Sequence, residues 1–162
     1  AFNPNNGLIY AATNEGYSNY KLIPIEPFKP GFRYQAVEAT YSAVTPQTVG
    51  GYIQALDPMT AQPKWKTPMM GELPGSAVLV TGGGLLFTGK HSGEVIALDA
   101  DTGQQVWNFR VTSGVNAQPV TWTRNGRQYV TILSGSGGTT SQRRGLPDVP
   151  NGGTVWTFAL AE

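Results

Sequence analysis

Apolar residues along this chain fall in short runs, cut by glycine, proline, asparagine and aspartate, and they leave little room for long helices. Ala77–Thr81, Leu85–Thr88, Glu94–Leu98 and Gln105–Arg110 are four such runs, rich in β-branched, aliphatic and aromatic side chains. Gly82–Gly84, His91–Gly93 and Asp99–Gly103 separate them with turn residues, so the stretch predicts one four-stranded antiparallel sheet. Gly7–Ala12, Gly51–Asp57 and Lys64–Thr67 resemble its second, third and fourth strands; no run before them supplies a first. Gln118–Trp122, Arg127–Leu133 and Gly153–Leu160 repeat the first three strands, and no fourth follows.

The two central units superpose at an offset of 42 residues, aligning Asp57 with Asp99 and Trp65 with Trp107. A period of that length made of short strands marks the blades of a β-propeller. The aspartates precede turns, where a carboxylate accepts backbone N–H groups. The tryptophans fall on the fourth strand of each unit, where a flat side chain can fill the gap between neighbouring blades. On this reading both are packing residues that bury on the order of 200 Å², and loss of Trp107 costs about 3–5 kcal/mol. The fold class is therefore all-β: about two and three-quarter four-stranded blades, residues 1–162 forming one segment of a propeller domain. Propellers close with roughly 4 to 8 blades, so the chain is expected to be the C-terminal segment of a larger ring whose last blade is completed by a strand from the true N-terminus. The alternative is a two-sheet β-sandwich containing a duplicated hairpin.

Two long segments interrupt the blades. Residues 13–50, with four prolines and four tyrosines, lie between a second and a third strand, and residues 134–152, rich in glycine, hold the same place in the last unit. Loops of this length are functional or cover an interface.

Composition narrows the chemistry. Of 162 residues 40% are hydrophobic and 13% charged, which argues for a folded chain. Eleven basic and ten acidic side chains give a formal charge of +1, with no basic run longer than Arg143–Arg144, so nucleic-acid binding has no electrostatic footprint. The absence of cysteine rules out, within these residues, a disulfide, a thiolate metal site or a covalent haem motif. No apolar stretch approaches the roughly 20 residues of a membrane span. The start, Ala1–Asn5, lacks the basic and apolar regions of a signal peptide, as expected of a processed chain or an internal piece. Asp99, Asp101 and Gly103 resemble the opening of a calcium loop without its downstream glutamate. His91, the single histidine, lies in a turn with no Ser or Cys at motif spacing. Gly135–Gly138 has no following Lys-Ser/Thr pair to make a phosphate loop, but it can bring backbone N–H groups close to a planar or anionic ligand.

The run Ala97–Trp107 resembles the tryptophan-docking motif of the pyrroloquinoline quinone (PQQ)-dependent alcohol dehydrogenases, the quinoprotein family of methanol and ethanol dehydrogenases. Gly7–Tyr10, Lys29–Gly31, Gly50–Pro58, Leu79–Gly89, Gln118–Trp122, Gly126–Val130 and Ser134–Gly138 resemble the same family in the same order. The resemblance implies an eight-bladed propeller with PQQ on its axis beside a calcium or lanthanide ion. It implies oxidation of a primary or secondary alcohol in the periplasm, by hydride transfer to PQQ, with electrons leaving through a cytochrome c-type acceptor. The remaining N-terminal blades are then a partner of this segment, and a homodimer is one assembly open to it. The family's metal ligands, catalytic aspartate, adjacent-cysteine disulfide and Asn-Trp pair align upstream of Ala1, so no catalytic or metal-ligating residue is carried over and the segment alone is not catalytically complete. Gly135, Ser136 and Gly137 align with a Gly-Trp-Gly beside the quinone and are the expected cofactor-binding residues, with Ser136 in place of the aromatic. Ala61 and Pro63 depart from the docking motif, a change expected to loosen that turn. A non-catalytic scaffold segment, joining a protein partner through open sheet edges, is the alternative function.

Overall fold

The computed structural model describes residues 1–31, 34, 36–42, 44–136 and 149–160. β1 (Phe2–Asn3) and β2 (Leu8–Asn14) lead into a separate hairpin, β3 (Ser18–Leu22) and β4 (Val37–Tyr41). β5 (Val49–Leu56) and β6 (Pro63–Met70) then complete a four-stranded sheet in the order β1-β2-β5-β6. β7 (Leu79–Val80), β8 (Leu85–Gly89), β9 (Glu94–Asp99) and β10 (Gln105–Arg110) form a second sheet in chain order. β11 (Val120–Arg124), β12 (Arg127–Ser136) and β13 (Gly152–Ala159) form a third, and every pairing is antiparallel.

Burial periodicity shows how the sheets stack. In β5 burial alternates, with Gly51, Ile53 and Ala55 inward, and in β12 Val130, Ile132 and Ser134 do the same, so each flanking sheet has one covered face. In β9 the run Val95-Ile96-Ala97-Leu98 is buried throughout, because the middle sheet is covered on both faces. One core joins Tyr10, Ile53, Ala55 and Met69 of the first sheet to Val78, Leu86, Ile96, Leu98 and Ala100 of the second. Another joins Val95, Val111 and Val115 to Ile132, with Trp156 and Phe158 packed against it. Three sheets side by side are blades, and the two-sheet sandwich is excluded.

One expected gap is filled. The first blade has its first strand: Phe2 and Asn3 pair with Ile9 and Leu8. Two residues carry no periodicity. They are held instead by the turn, where Asn5 N–H donates to Asn3 Oδ1 at 3.0 Å, and by Tyr10 N–H donating to Ala1 O at 2.7 Å. The third blade shows three strands among the described residues. β12 also runs on to Ser136, beyond Leu133, so Ser134–Ser136 belong to a paired strand and not to a loop.

Candidate cofactor-facing edge

The second strand of each blade ends in a connection that joins one shared hydrogen-bonded rim. Gly71 N–H donates to Thr48 O at 2.9 Å, and Ser92 N–H to the Glu72 carboxylate at 3.2 Å. Val115 N–H donates to Lys90 O at 3.0 Å, and Gly135 N–H to Gly114 O at 2.8 Å. The insertion after β2, the turn at residues 90–93 and the end of β12 are thereby tied together at one end of the blades.

Gly135 and Ser136 close β12 opposite Gly153 and Gly152. Gly137, the third residue expected here, lies outside the described residues. The glycine pairing strips the strand ends of side chains: a Cβ on Gly152 or Gly153 would meet nothing within 4 Å, and one on Gly135 would stand 3.0 Å from Gly152 O. Three of the four residues at these strand ends therefore carry no side chain. Beside them Ser134 is buried, and its Oγ accepts from Trp156 Nε1 at 3.3 Å.

The rim also holds a charged set that no motif announces. Lys90 Nζ pairs with the Glu94 carboxylate and lies 3.7 Å from that of Glu72. Partial burial pushes the Glu94 pKa up, but hydrogen bonds from Lys90 and Asn108, with the positive charges of Lys90 and Arg110, outweigh it and hold Glu94 below its ordinary range. Its three charged members are distant in sequence or hidden in a turn, so their convergence is legible only in three dimensions. His91 is buried in the same turn. No group of three or more His, Asp or Glu suited to a metal ion occurs among the described residues.

The opposite end carries the docking turns. Asp57 Oδ1 accepts from Met59 N–H at 2.8 Å, and Asp99 Oδ1 from Asp101 N–H at 3.1 Å and Thr102 N–H at 2.9 Å. The Thr102 hydroxyl also donates to Asp99 at 2.8 Å, and these bonds, the hydroxyl's first, lower the Asp99 pKa. The carboxylate is thus spent on its own turn, where a calcium loop would leave it for the ion. Trp65 spans blades: its Nε1 donates to Ala100 O at 2.9 Å, and a Cβ on Gly103 would lie 2.4 Å from its ring. Trp107 is not its equal. It reaches the next blade through Phe158, at 5.2 Å between ring centroids, yet remains 37% exposed. No turn among the described residues receives it as Ala100 and Gly103 receive Trp65. A cavity of about 580 Å³ lies beside Trp107, lined by Phe87, Val106, Arg127, Val130 and Leu160 among others.

Blades joined by a tryptophan laid across the next blade's Asp-to-Gly turn define a tryptophan-docked β-propeller. Residues 1–130 match the family "PQQ: Glucose/ethanol/alcohol dehydrogenase, beta-propeller domain", and the chain belongs to it. It is 34% identical to the quinoprotein alcohol dehydrogenase PedH of Pseudomonas putida over 99% of this chain and 27% of that protein. It is 33% identical to a quinone-linked 1-butanol dehydrogenase of Thauera butanivorans over 99% of this chain and 26% of that protein. Among solved structures, a europium-containing methanol dehydrogenase superposes with a TM-score of 0.80 at 25% identity, covering 99% of this chain and 32% of that one. The chain spans about a quarter of the length of the curated relatives it matches.

Proposed function

We propose that this chain is the C-terminal segment of a PQQ-dependent alcohol dehydrogenase that oxidises a primary or secondary alcohol to the carbonyl. The observation that carries the reading is the match to quinoprotein alcohol dehydrogenases along nearly the whole chain. Bound PQQ would supply the hydride acceptor, with a calcium or lanthanide ion polarising it. Support for a lanthanide comes from the europium-containing relative. The metal's ligands would come from outside the described residues.

The chain's own part is a wall. The side-chain-free surface of Gly135, Gly152 and Gly153 fits a flat ring lying against backbone, where any side chain would hold the ring off. The middle blade supports that surface from one side, through the core that joins Val95, Val111 and Val115 to Ile132. The general base, the metal site and most substrate contacts belong to blades outside this chain in this proposal. Electrons leave through a cytochrome c-type acceptor, and the enzyme works in the periplasm.

The test is purification of the full-length protein carrying this segment. Loading with PQQ and calcium or a lanthanide should give the cofactor's absorbance and dye-linked oxidation of short alcohols, and cell fractionation should place the protein in the periplasm. Absence of PQQ binding in the complete, folded protein overturns the proposal in favour of a scaffold.

A further inference from the structure

We propose that Asn116 is a positioning residue for the cofactor-facing edge, holding the Gly135 peptide in place from the inner side of the last blade. The inference rests on the assignment of Gly135 to the cofactor wall.

β11 begins only at Val120, whose partner on β12 is Thr131. Beyond Thr131 the inner edge of β12 therefore has no strand beside it, and the link between β10 and β11 takes over. Val115 bridges Ser134, Gly114 O accepts from Gly135 N–H at 2.8 Å, and Asn116 Nδ2 donates to Gly135 O at 3.0 Å. Both backbone polar groups of Gly135 are thus held by one link. The same link grips the other stem of the glycine-rich segment, with Ser113 Oγ donating to Pro150 O at 2.6 Å and the Thr112 and Thr154 hydroxyls 3.2 Å apart.

The link is itself fixed. Val115 is fully buried and fills the space a side chain on Gly89 would need, where a Cβ would lie 2.2 Å from Val115 Cγ1. Val111 N–H donates to Gly93 O at 2.8 Å. Asn116, by contrast, is exposed and packs into neither core, so its side chain has the Gly135 carbonyl as its work. Glycine has wide backbone freedom. Without the amide donor, the peptide following Gly135 can rotate and tilt the wall.

The experiment uses the full-length protein and its Asn116→Asp and Asn116→Leu variants. Asn116→Asp keeps shape but loses the donor; Asn116→Leu keeps bulk alone. PQQ affinity is titrated at fixed calcium, apo-protein thermal midpoints are recorded, and amide exchange is followed at Gly135 and Ser136. Positioning requires PQQ affinity to fall on the order of 3- to 10-fold in both variants, up to the full worth of one hydrogen bond, with a loss of apo midpoint too small to account for it and faster exchange at Ser136, whose N–H shares the peptide that Asn116 holds. Unchanged affinity overturns it, as does a loss matched by a lower midpoint, which marks a merely structural role. If the wild-type protein binds no PQQ, the functional proposal fails and the positioning role falls with it; if it binds PQQ, unchanged exchange at Ser136 in the variants overturns the positioning by itself.

Discussion

Ala61 occupies the position that Gly103 holds in the next blade, and both take left-handed backbone angles, φ +57° and +73°. The turns share their backbone closure, although only the second adds a threonine hydroxyl bond to its aspartate. Ala61 N–H donates to Asp57 O at 2.8 Å and Gly103 N–H to Asp99 O at 2.8 Å, so the alanine does not loosen its turn as the sequence suggests. The methyl group carries strain of about 1–2 kcal/mol, partly offset by the smaller unfolded-state entropy of alanine. Ala61→Gly should therefore stabilise the protein by about 0.5 kcal/mol. Gly103→Ala should destabilise it by about 2 kcal/mol or more, because the new methyl would overlap the Trp65 ring as well as strain the backbone. Chemical denaturation of the two variants should give opposite shifts in midpoint; a tolerated Gly103→Ala would show that Trp65 is not docked there. By the same logic Trp65→Ala should cost about 3 kcal/mol and Trp107→Ala less within these residues, since the second ring remains partly in water.

Elements were legible in proportion to their length and periodicity. β8, β9 and β10 fall within a residue of the runs that predict them, because each alternates or is continuously apolar between glycine turns. β1 escaped, being two residues held by a turn and a chain end. The β3–β4 hairpin escaped because its apolar face, including Tyr20 and Leu22, lies among prolines and tyrosines that read as an excursion. At the candidate site the glycines were legible, but as a loop, whereas Gly135 lies in a paired strand with its N–H donating to Gly114 O. The link that holds them was not legible, since Thr112, Ser113 and Asn116 have no spacing rule that points to Gly135 or Pro150. The Glu72–Lys90–Glu94 set was hidden for the same reason, and it makes a prediction about the rim. Glu94 is held below its ordinary value of 4.5, so its contribution to stability is complete above that pH and is lost as pH falls through the lower, folded value. Glu94→Gln should therefore lower the denaturation midpoint at pH 7 and flatten its fall below about pH 4.5. Parallel acid profiles for the two proteins would show that the carboxylate is not the group responsible.

The stack of three blades ends in exposed apolar residues on both sides. Its middle sheet is covered on both faces, whereas the third sheet turns Val120, Trp122, Leu133 and Val155 outward at 54%, 42%, 53% and 63% exposure. Leu133 and Val155 are direct cross-strand partners, and Trp122 stacks on its partner Tyr129 at 4.4 Å, so the apolar groups form one face. The first sheet presents Phe2 and Ile9, also exposed. Such faces are blade-to-blade surfaces in a ring, and in a polypeptide limited to these residues they invite association. A charge placed there should act with opposite sign in the two settings. In the isolated segment Leu133→Lys should reduce self-association, read by light scattering and dye binding to apolar surface, with little change in its unfolding. In the full-length protein the same lysine would be buried against the next blade without a partner, a change costing several kcal/mol, so the thermal midpoint should drop sharply or the protein fail to fold. An unchanged midpoint in the full-length variant would mean that the third blade faces solvent and that the ring does not continue from this side.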